Sequence, residues 1–443
     1  MSRIVKFFRV IRNNWKKSVF GTAALSYGVS YAKDKYETNQ LMRDYCLKAL
    51  EYGSLPIPNE YNPKKIVVIL NPVANKRKAK KNFDKYCAPL LNLAGVFVDV
   101  MQTESVGHAC NIIEKIDART DAVVVAGGDG TLSEVVTGML RNGNAVNYPV
   151  GVIPLGQTNT LAKSLFYDSD TNVVKHIAEA TMAVIREAKK PVDVMKIEVL
   201  GEDENKPVKP VYGLGSIQWG AYRDAHAKRD KYWYWGSLRS YVTYVFTGLK
   251  SEKSGISWQC DAELDYIYPC GGCSKCFNPN VVRNRATASQ PRRWWQSFLP
   301  RQTAVSGTEF KKKIDYSQVV NEECGNAHNL QISTVDLSVT TSNVYPNCDQ
   351  EGEPHMKVKV GPPNVGYFSF LTEGWSSEQG NDRTIQNELS VREININPLK
   401  VVDTPEGKDQ MLSIDNEDYE VRPVHVTLLP KIVSVFCKTE AAL

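Results

Sequence analysis

Residues 122–141 read AVVVAGGDGTLSEVVTGMLR, and the fold is decided there. Residues 122–126 are an unbroken small and aliphatic run, the pattern of a strand buried on both faces. Gly127-Gly128-Asp129-Gly130-Thr131 follows. Leu132, Val135, Val136, Met139 and Leu140 then recur at i, i+3, i+4, i+7 and i+8, the apolar stripe of a helix. Thr131, with Glu134 three residues on, makes a capping box. Glycines let the backbone turn sharply and approach a ligand closely. A helix start presents unpaired N–H groups and a partial positive charge. Strand, glycine turn and capped helix in one unit point to a phosphate ligand; the plain alternative is a strand-to-helix turn that binds nothing.

The neighbouring sequence extends this unit. Residues 66–70 (IVVIL) are a second buried run, and 96–100 and 150–154 read as further strands. Residues 78–93 carry helical spacing through Phe83, Tyr86, Leu90 and Leu93, and 105–118 form another helical stretch. Alternating strands and helices predict a mostly parallel, doubly wound α/β sheet, whose ligands bind beyond the carboxyl ends of the strands. No G-x-x-x-x-G-K-[ST], H-E-x-x-H or G-x-S-x-G occurs, which removes the P-loop NTPase and two hydrolase readings.

At 443 residues the chain has room for two or three domains of roughly 100–200 residues. With 42 % hydrophobic and 23 % charged residues it is neither a disordered chain nor a multi-span membrane protein. Ten cysteines are too few for a disulfide scaffold. The net charge of +5 is local: the first 33 residues hold seven Arg and Lys and no acid, which leaves −2 for residues 34–443. That distribution argues against a nucleic-acid-binding surface.

On a helix, residues 1–17 place Ile4, Phe7, Phe8, Ile11 and Trp15 in one arc and the basic residues opposite. A basic amphipathic helix suits a membrane surface or an import receptor; the alternative is an exposed helix packed on the domain. Residues 18–32 are weakly apolar, interrupted by Gly21, Ser26, Gly28 and Ser30, and fall short of a spanning helix. The absence of acid favours a mitochondrial targeting or anchoring segment over a secretory signal.

Three motifs together carry a family resemblance. Gly127–Thr131 after its buried strand, Asn71-Pro72 at the end of the first strand, and Val152-Ile153-Pro154-Leu155-Gly156-Gln157-Thr158-Asn159 resemble the catalytic domain of the diacylglycerol kinase and sphingosine kinase family. Ile414-Asp415-Asn416-Glu417, followed by Leu428-Leu429-Pro430, is similar to that family's Asp-Gly-Glu segment and the strand beyond it. A closer likeness is to the mitochondrial acylglycerol kinases, through Gln218-Trp219-Gly220-Ala221-Tyr222-Arg223-Asp224-Ala225, Lys231-Tyr232-Trp233-Tyr234 and the basic N-terminus. The likeness covers about residues 62–250 and 325–437. Where the wider family has Gly, this chain has Asn75 and Asn416, residues that tolerate positive φ. Where the family has Asp, it has Thr160. A third reading, a NAD kinase relative, shares the glycine-Asp-glycine loop.

The resemblance implies an α/β nucleotide-binding domain followed by a β-sandwich. The expected layout is an N-terminal segment and helical linker over 1–60, a catalytic domain over 61–193 and a lipid-binding sandwich over 194–437. It implies an ATP- and Mg²⁺-dependent lipid kinase that converts monoacylglycerol and diacylglycerol to lysophosphatidic and phosphatidic acids at the mitochondrial inner membrane, facing the intermembrane space. The alternative from another class is a non-catalytic subunit of the inner-membrane carrier translocase, a role compatible with kinase activity.

The nucleotide site it implies is Asn71, Thr103, Gly127, Gly128, Asp129, Gly130 and Thr131, with Asp129 orienting Mg²⁺. Part of the basic run Lys76, Arg77, Lys78, Lys80 and Lys81 could face phosphate; the rest is a solvated helix start. Phosphoryl transfer to a hydroxyl also needs a carboxylate to take its proton. Asp415 and Glu417 are the candidates, and with Asp129 they make the expected catalytic set. Arg223 and Asp224 line the same region or form a structural ion pair.

Residues 205–435 are rich in alternating segments, with strands read at 330–339, 357–360 and 424–429. Residues 250–325 read as an insertion bearing Arg292-Arg293-Trp294-Trp295 and Lys311-Lys312-Lys313, a composition suited to a membrane interface or an exposed loop. Cys270, Cys273 and Cys276, with Cys260 upstream, are candidate Zn²⁺ ligands, disulfide partners or free thiols.

Overall fold

The computed structural model describes residues 13–55, 64–116, 119–141, 148–166, 172–201, 208–254, 260–276, 319–345, 353–399 and 411–438. The chain divides into two compact units, Met1–Val192 with Lys431–Leu443, and Asp193–Pro430. The expected second domain ran to residue 437; its last residues belong to the first unit instead.

The first unit opens with helix α1 (Trp15–Gly53). Val19, Phe20, Leu25, Tyr27, Val29 and Tyr31 are exposed along its first half. Tyr45 and Ala49 near its end are buried, and the Tyr45 hydroxyl donates to Glu179 at 2.6 Å. Among the described residues no helix is long and apolar enough to cross a membrane. The amphipathic segment expected over 1–17 lies, through residue 12, outside the described residues.

Four parallel strands form the core sheet in the order β2-β1-β3-β4: β1 (Lys65–Leu70), β2 (Phe97–Gln102), β3 (Ala122–Gly127) and β4 (Val150–Pro154). Ile66, Val67, Val68, Ile69 and Leu70 are all buried. Burying such a side chain contributes about 1.5–3 kcal/mol, so the aliphatic runs themselves hold the sheet. Helices α2 (His108–Glu114), α3 (Asp129–Arg141), α4 (Thr160–Phe166) and α5 (Val173–Arg186) connect and cover the strands. Asn172 caps α5, its side-chain oxygen accepting from the N–H groups of Val174 and Lys175.

The helix expected over 78–93 is interrupted. Ala79–Asn82 and Ala88–Leu93 flank a wide π turn at Phe83–Cys87. A π turn adds a residue and rotates the succeeding helical turns about the axis. The buried stripe is therefore Phe83, Cys87, Leu90 and Leu91, while Leu93 is exposed. The chain leaves this unit along β5 (Lys189–Val199).

The second unit is a β-sandwich with helices. Its elements are β6 (Val211–Gly213), β7 (Ser216–Gly220), α6 (Ala221–Ala227), α7 (Arg239–Ser254), β8 (Cys260–Ile267), β9 (Ala327–Thr334), β10 (Asp336–Thr340), β11 (Met356–Val360), α8 (Tyr367–Glu378), β12 (Asn387–Val391), β13 (Glu393–Pro398), β14 (Met411–Ile414), β15 (Glu417–Glu420) and β16 (Val424–Phe436). One antiparallel sheet runs β12-β11-β10-β7-β14-β15; in the other, β16, β13, β8 and β9 are neighbours in that order. Trp219, Leu337, Val339 and Val358 from the first meet Leu264, Ile394, Ile396 and Val426 from the second in one core. β16 ends in the first unit, where Val435 pairs with Val150 of β4.

Two expectations change here. The segment 330–339, read as one strand, is two strands in different sheets. Thr334 holds the corner: its hydroxyl oxygen accepts the Asp336 N–H at 3.1 Å and lies 3.0 Å from the Gly361 carbonyl. Cys260–Ile267, placed within an insertion from sequence, is a core strand paired on both sides. Arg292-Arg293-Trp294-Trp295 and Lys311-Lys312-Lys313 lie outside the described residues.

Asp415 and Asn416 form the two-residue turn between β14 and β15, at φ +48° and +66°. A type I′ turn requires positive φ at both positions, and Asn is the non-glycine residue that best tolerates it. Asn416→Ala should therefore lower stability by about 1 kcal/mol, and Asn416→Gly should preserve or raise it. Thermal and urea unfolding of the two variants reads this directly; equal stability would mean the turn is not held in this form.

Candidate active site

In the first unit the implied nucleotide residues converge at the carboxyl ends of adjacent parallel strands. The glycine turn after β3 and the turn after β4 are fastened together. The Gly127 carbonyl accepts the N–H groups of Leu155 and Gly156 at 3.1 and 2.9 Å. The Asp129 N–H donates to the Thr158 carbonyl at 3.1 Å, and both Asp129 carboxylate oxygens accept the Thr160 N–H, at 2.8 and 2.9 Å. Asp129, only 7 % exposed, thus sits at the start of α3 and caps the start of α4. Asn159 closes the second turn on itself, accepting from the Gly156 N–H and donating to the Gly156 carbonyl.

Glycine is required for this approach. A Cβ on Gly156 would lie 2.3 Å from the Gly128 Cα, and one on Gly128 would lie 2.9 Å from the Thr158 carbonyl oxygen. β1 joins the same assembly: the Asn71 side-chain amide donates to the Thr131 hydroxyl at 3.1 Å, and its oxygen accepts the Val73 N–H. Thr103, buried just past β2, donates its N–H to the Leu70 carbonyl at 2.9 Å.

The capping box expected from Thr131 and Glu134 does not form. Helix α3 already begins at Asp129, so Thr131 lies inside it. Glu134 instead accepts the N–H groups of Gly107 and Ala109 at 2.8 and 3.3 Å, at the start of α2.

Between β1 and the helical turns, Asn75, Lys76 and Arg77 all have positive φ, +50°, +55° and +65°. Three consecutive left-handed residues without glycine are costly, at roughly 1–2 kcal/mol each. Lys76, Arg77, Lys78, Lys80 and Lys81 are exposed and form a local cationic surface. The donor set suits a magnesium nucleotide. A helix's first N–H groups have no intrahelical partner and favour phosphate. Asp129 supplies the kind of ligand that such a nucleotide's cation takes, one or two carboxylates plus phosphate oxygens.

In the second unit Asp415 and Glu417 have different surroundings. The Asp415 carboxylate is buried and accepts the N–H groups of Leu214, Gly215 and Ser216 at 2.7, 2.8 and 2.9 Å. That coordination anchors the β6–β7 connection to the β14–β15 turn. Glu417 is half-buried at the start of β15, 3.4 Å from the Tyr419 hydroxyl. Arg223, also buried, ion-pairs with Asp224 at 2.8 Å and with Asp418. The ion pair read from the sequence is formed, and the Asp418 contact ties α6 to β15.

The cysteine set differs from expectation at one position. Cys260 is buried in the sandwich core, and burial pushes its thiol up to about 12. Cys270, Cys273 and Cys276 are joined instead by Cys324. Cys324 lies across the 277–318 segment from the other three, so the local Cys-x-x-Cys spacing gave no sign of it.

Residues 65–197 match the family described as diacylglycerol kinase catalytic domain, and residues 214–442 match acylglycerol kinase C-terminal. The strand-end site, and the domain that bears it, thus define a nucleotide-binding transferase of the lipid kinase class. The pairing of that domain with this particular C-terminal half is narrower: the chain belongs to the acylglycerol kinase family. It is 34 % identical to the mitochondrial acylglycerol kinase of Mus musculus over 97 % of this chain and 96 % of that protein. Identity to the mitochondrial acylglycerol kinase of Homo sapiens is 33 %, over 97 % and 96 %. A solved diacylglycerol kinase structure from Bacillus anthracis is similar at 16 % identity and TM-score 0.49, covering 85 % of this chain and 98 % of that one.

Gly156→Ala should force the two turns apart. The expected outcome is a loss of about 1–3 kcal/mol in stability together with weakened binding of a fluorescent ATP analogue. Unchanged melting and unchanged nucleotide titration would show that the contact is dispensable.

Proposed function

We propose that the chain transfers the γ-phosphoryl group of ATP to the free hydroxyl of monoacylglycerol and diacylglycerol, forming lysophosphatidic and phosphatidic acids. The observation that carries this is the fastened pair of strand-end turns around Asp129, joined to Asn71 through Thr131. In this reading Gly127, Gly128, Gly130 and Thr131 hold the phosphates, with Asn71 and Thr103 beside them. Asp129 orients Mg²⁺, which when bound offsets charge on the transferring phosphoryl group. Glu417 is the general base: it takes the hydroxyl proton as the acceptor oxygen bonds to phosphorus and ADP leaves. Asp415, whose oxygens hold three backbone N–H groups, is a positioning residue.

The test is radiolabelled ATP with monoacylglycerol, diacylglycerol, sphingosine and NAD as parallel acceptors. Labelled lysophosphatidic or phosphatidic acid is expected. Glu417→Gln should lower turnover by roughly 10²–10⁴-fold with little change in melting temperature. Asp415→Asn should lower both, because buried N–H groups lose a charged acceptor. Label on NAD alone, or on no acceptor from folded protein, would overturn the reading.

The substrate class also requires contact with a lipid surface. Trp233, Tyr234 and Trp235 are 69 %, 61 % and 45 % exposed, on a segment flanked by Lys231 and Arg239. Exposed Trp and Tyr beside basic residues suit a membrane interface. The relatives' mitochondrial names and the basic N-terminus support placement in mitochondria; the inner membrane, on its intermembrane-space face, is the position we propose there. Trp233→Ala with Trp235→Ala should weaken binding to phosphatidylcholine vesicles containing an anionic lipid by roughly tenfold, or about 1.4 kcal/mol. Vesicle flotation measures this; undiminished binding would remove the segment from the docking surface.

A further inference from the structure

The sulfur atoms of Cys270, Cys273, Cys276 and Cys324 all lie within 4.8 Å of one another. Cys273 and Cys276 are 3.7 Å apart, and Cys276 and Cys270 are 3.8 Å apart. A disulfide needs about 2.05 Å, so these separations are not bonded pairs. They correspond instead to the edges of a tetrahedron around one metal ion: a Zn–S bond of about 2.3 Å places neighbouring sulfurs about 3.8 Å apart. We propose that these four cysteines form a tetrathiolate zinc site that closes the base of the long excursion between β8 and β9.

The surroundings are built for thiolate. The Asn321 side-chain amide donates to the Cys270 sulfur at 3.4 Å, and the Cys273 N–H donates to the Cys276 sulfur at 3.2 Å. Such outer donors fix the ligands and spread their charge. The two ligand-bearing segments are also laced by backbone. The Ser274 N–H donates to the Val319 carbonyl at 2.9 Å, and the Lys275 ammonium donates to the Glu322 carbonyl at 3.1 Å. Cys273 is fully buried, while the other three are partly exposed, an arrangement that leaves an entry path.

Charge decides between four thiols and a metal. Neutral thiols are weak hydrogen-bond donors and gain little from crowding. Four thiolates without a cation would repel one another. One Zn²⁺ displaces the four thiol protons and leaves a net charge of −2 beside Lys275. All four positions are filled by protein, as in a structural site; a catalytic zinc keeps one open. β8 and β9 are already paired along eight residues, from Cys260 opposite Thr334 to Ile267 opposite Ala327. The ion would extend that closure beyond the last strand pair, holding the segment through Cys276 beside the one that begins at Val319.

The test is metal content of the full chain, purified from zinc-supplemented cells and passed through a chelating buffer. About one zinc per chain is expected. Cys273→Ser and Cys324→Ser should each lose it, while Cys110→Ser retains it. Exchange with Co²⁺ should give the visible bands of tetrahedral cobalt and a thiolate charge-transfer band. If the serine variants do not fold, the metal count and cobalt spectrum of the unaltered chain decide alone. Absence of metal with an intact-mass deficit from disulfides, free thiols by titration, iron in place of zinc, or zinc retained by both serine variants would each overturn the proposal. None of these readouts depends on lipid phosphorylation.

Discussion

Much of the first unit turns on the carboxylate of Asp129. By accepting the Thr160 N–H with both oxygens while its own N–H reaches the Thr158 carbonyl, it binds the exit of β3 to the exit of β4. Two adjacent helix starts are thereby held at a fixed separation. Gly128 and Gly156 permit the backbones to touch. Asn71 brings in the exit of β1 through Thr131. A rigid set of helix and strand ends is what electrostatic stabilisation of a transferring phosphoryl group demands, since dipoles already in place need no reorganisation during reaction.

The second unit uses the same chemistry for another purpose. Asp415 draws three successive backbone N–H groups onto one buried carboxylate. The turn that carries it has two left-handed residues, so the anchored carboxylate and the strained turn support one another. Arg223 adds a second tie through Asp418. Between these supports Glu417 has its backbone position set from both sides.

The parallel sheet was legible because β1, β3 and β4 are buried runs of aliphatic and small residues with no competing period, while the edge strand β2, FVDVMQ, is partly exposed. The roles of the acids were less so. Glu134 stood at capping-box spacing, yet tertiary packing gave it the start of α2. The strand at 330–339 alternated well enough to hide a change of sheet, because Thr334 satisfies the corner with a side-chain oxygen that leaves the pattern intact. The helix at 78–93 was recognised, but a π turn changed which residues it buries, and a fixed 3.6-residue period cannot represent that change. Cys260 was grouped with the Cys-x-x-Cys run, and Cys324 was not, because proximity in sequence stood in for proximity in space. A paired hairpin with a long excursion separates the two.

The first unit is written in two pieces, residues up to Val192 and those from Lys431 onward. Its fourth strand meets Val435 only when the C-terminal strand arrives, and Cys437 then donates its N–H to the Ala188 carbonyl at 2.9 Å. On the ribosome the nucleotide-binding half is therefore synthesised long before it can be completed. The edge of β4 waits through the synthesis of the entire sandwich. Such late, distant pairing raises contact order and slows folding, and it exposes an open sheet edge during that interval. The order of its strands thus leaves β4 without this neighbour until the sandwich has been made.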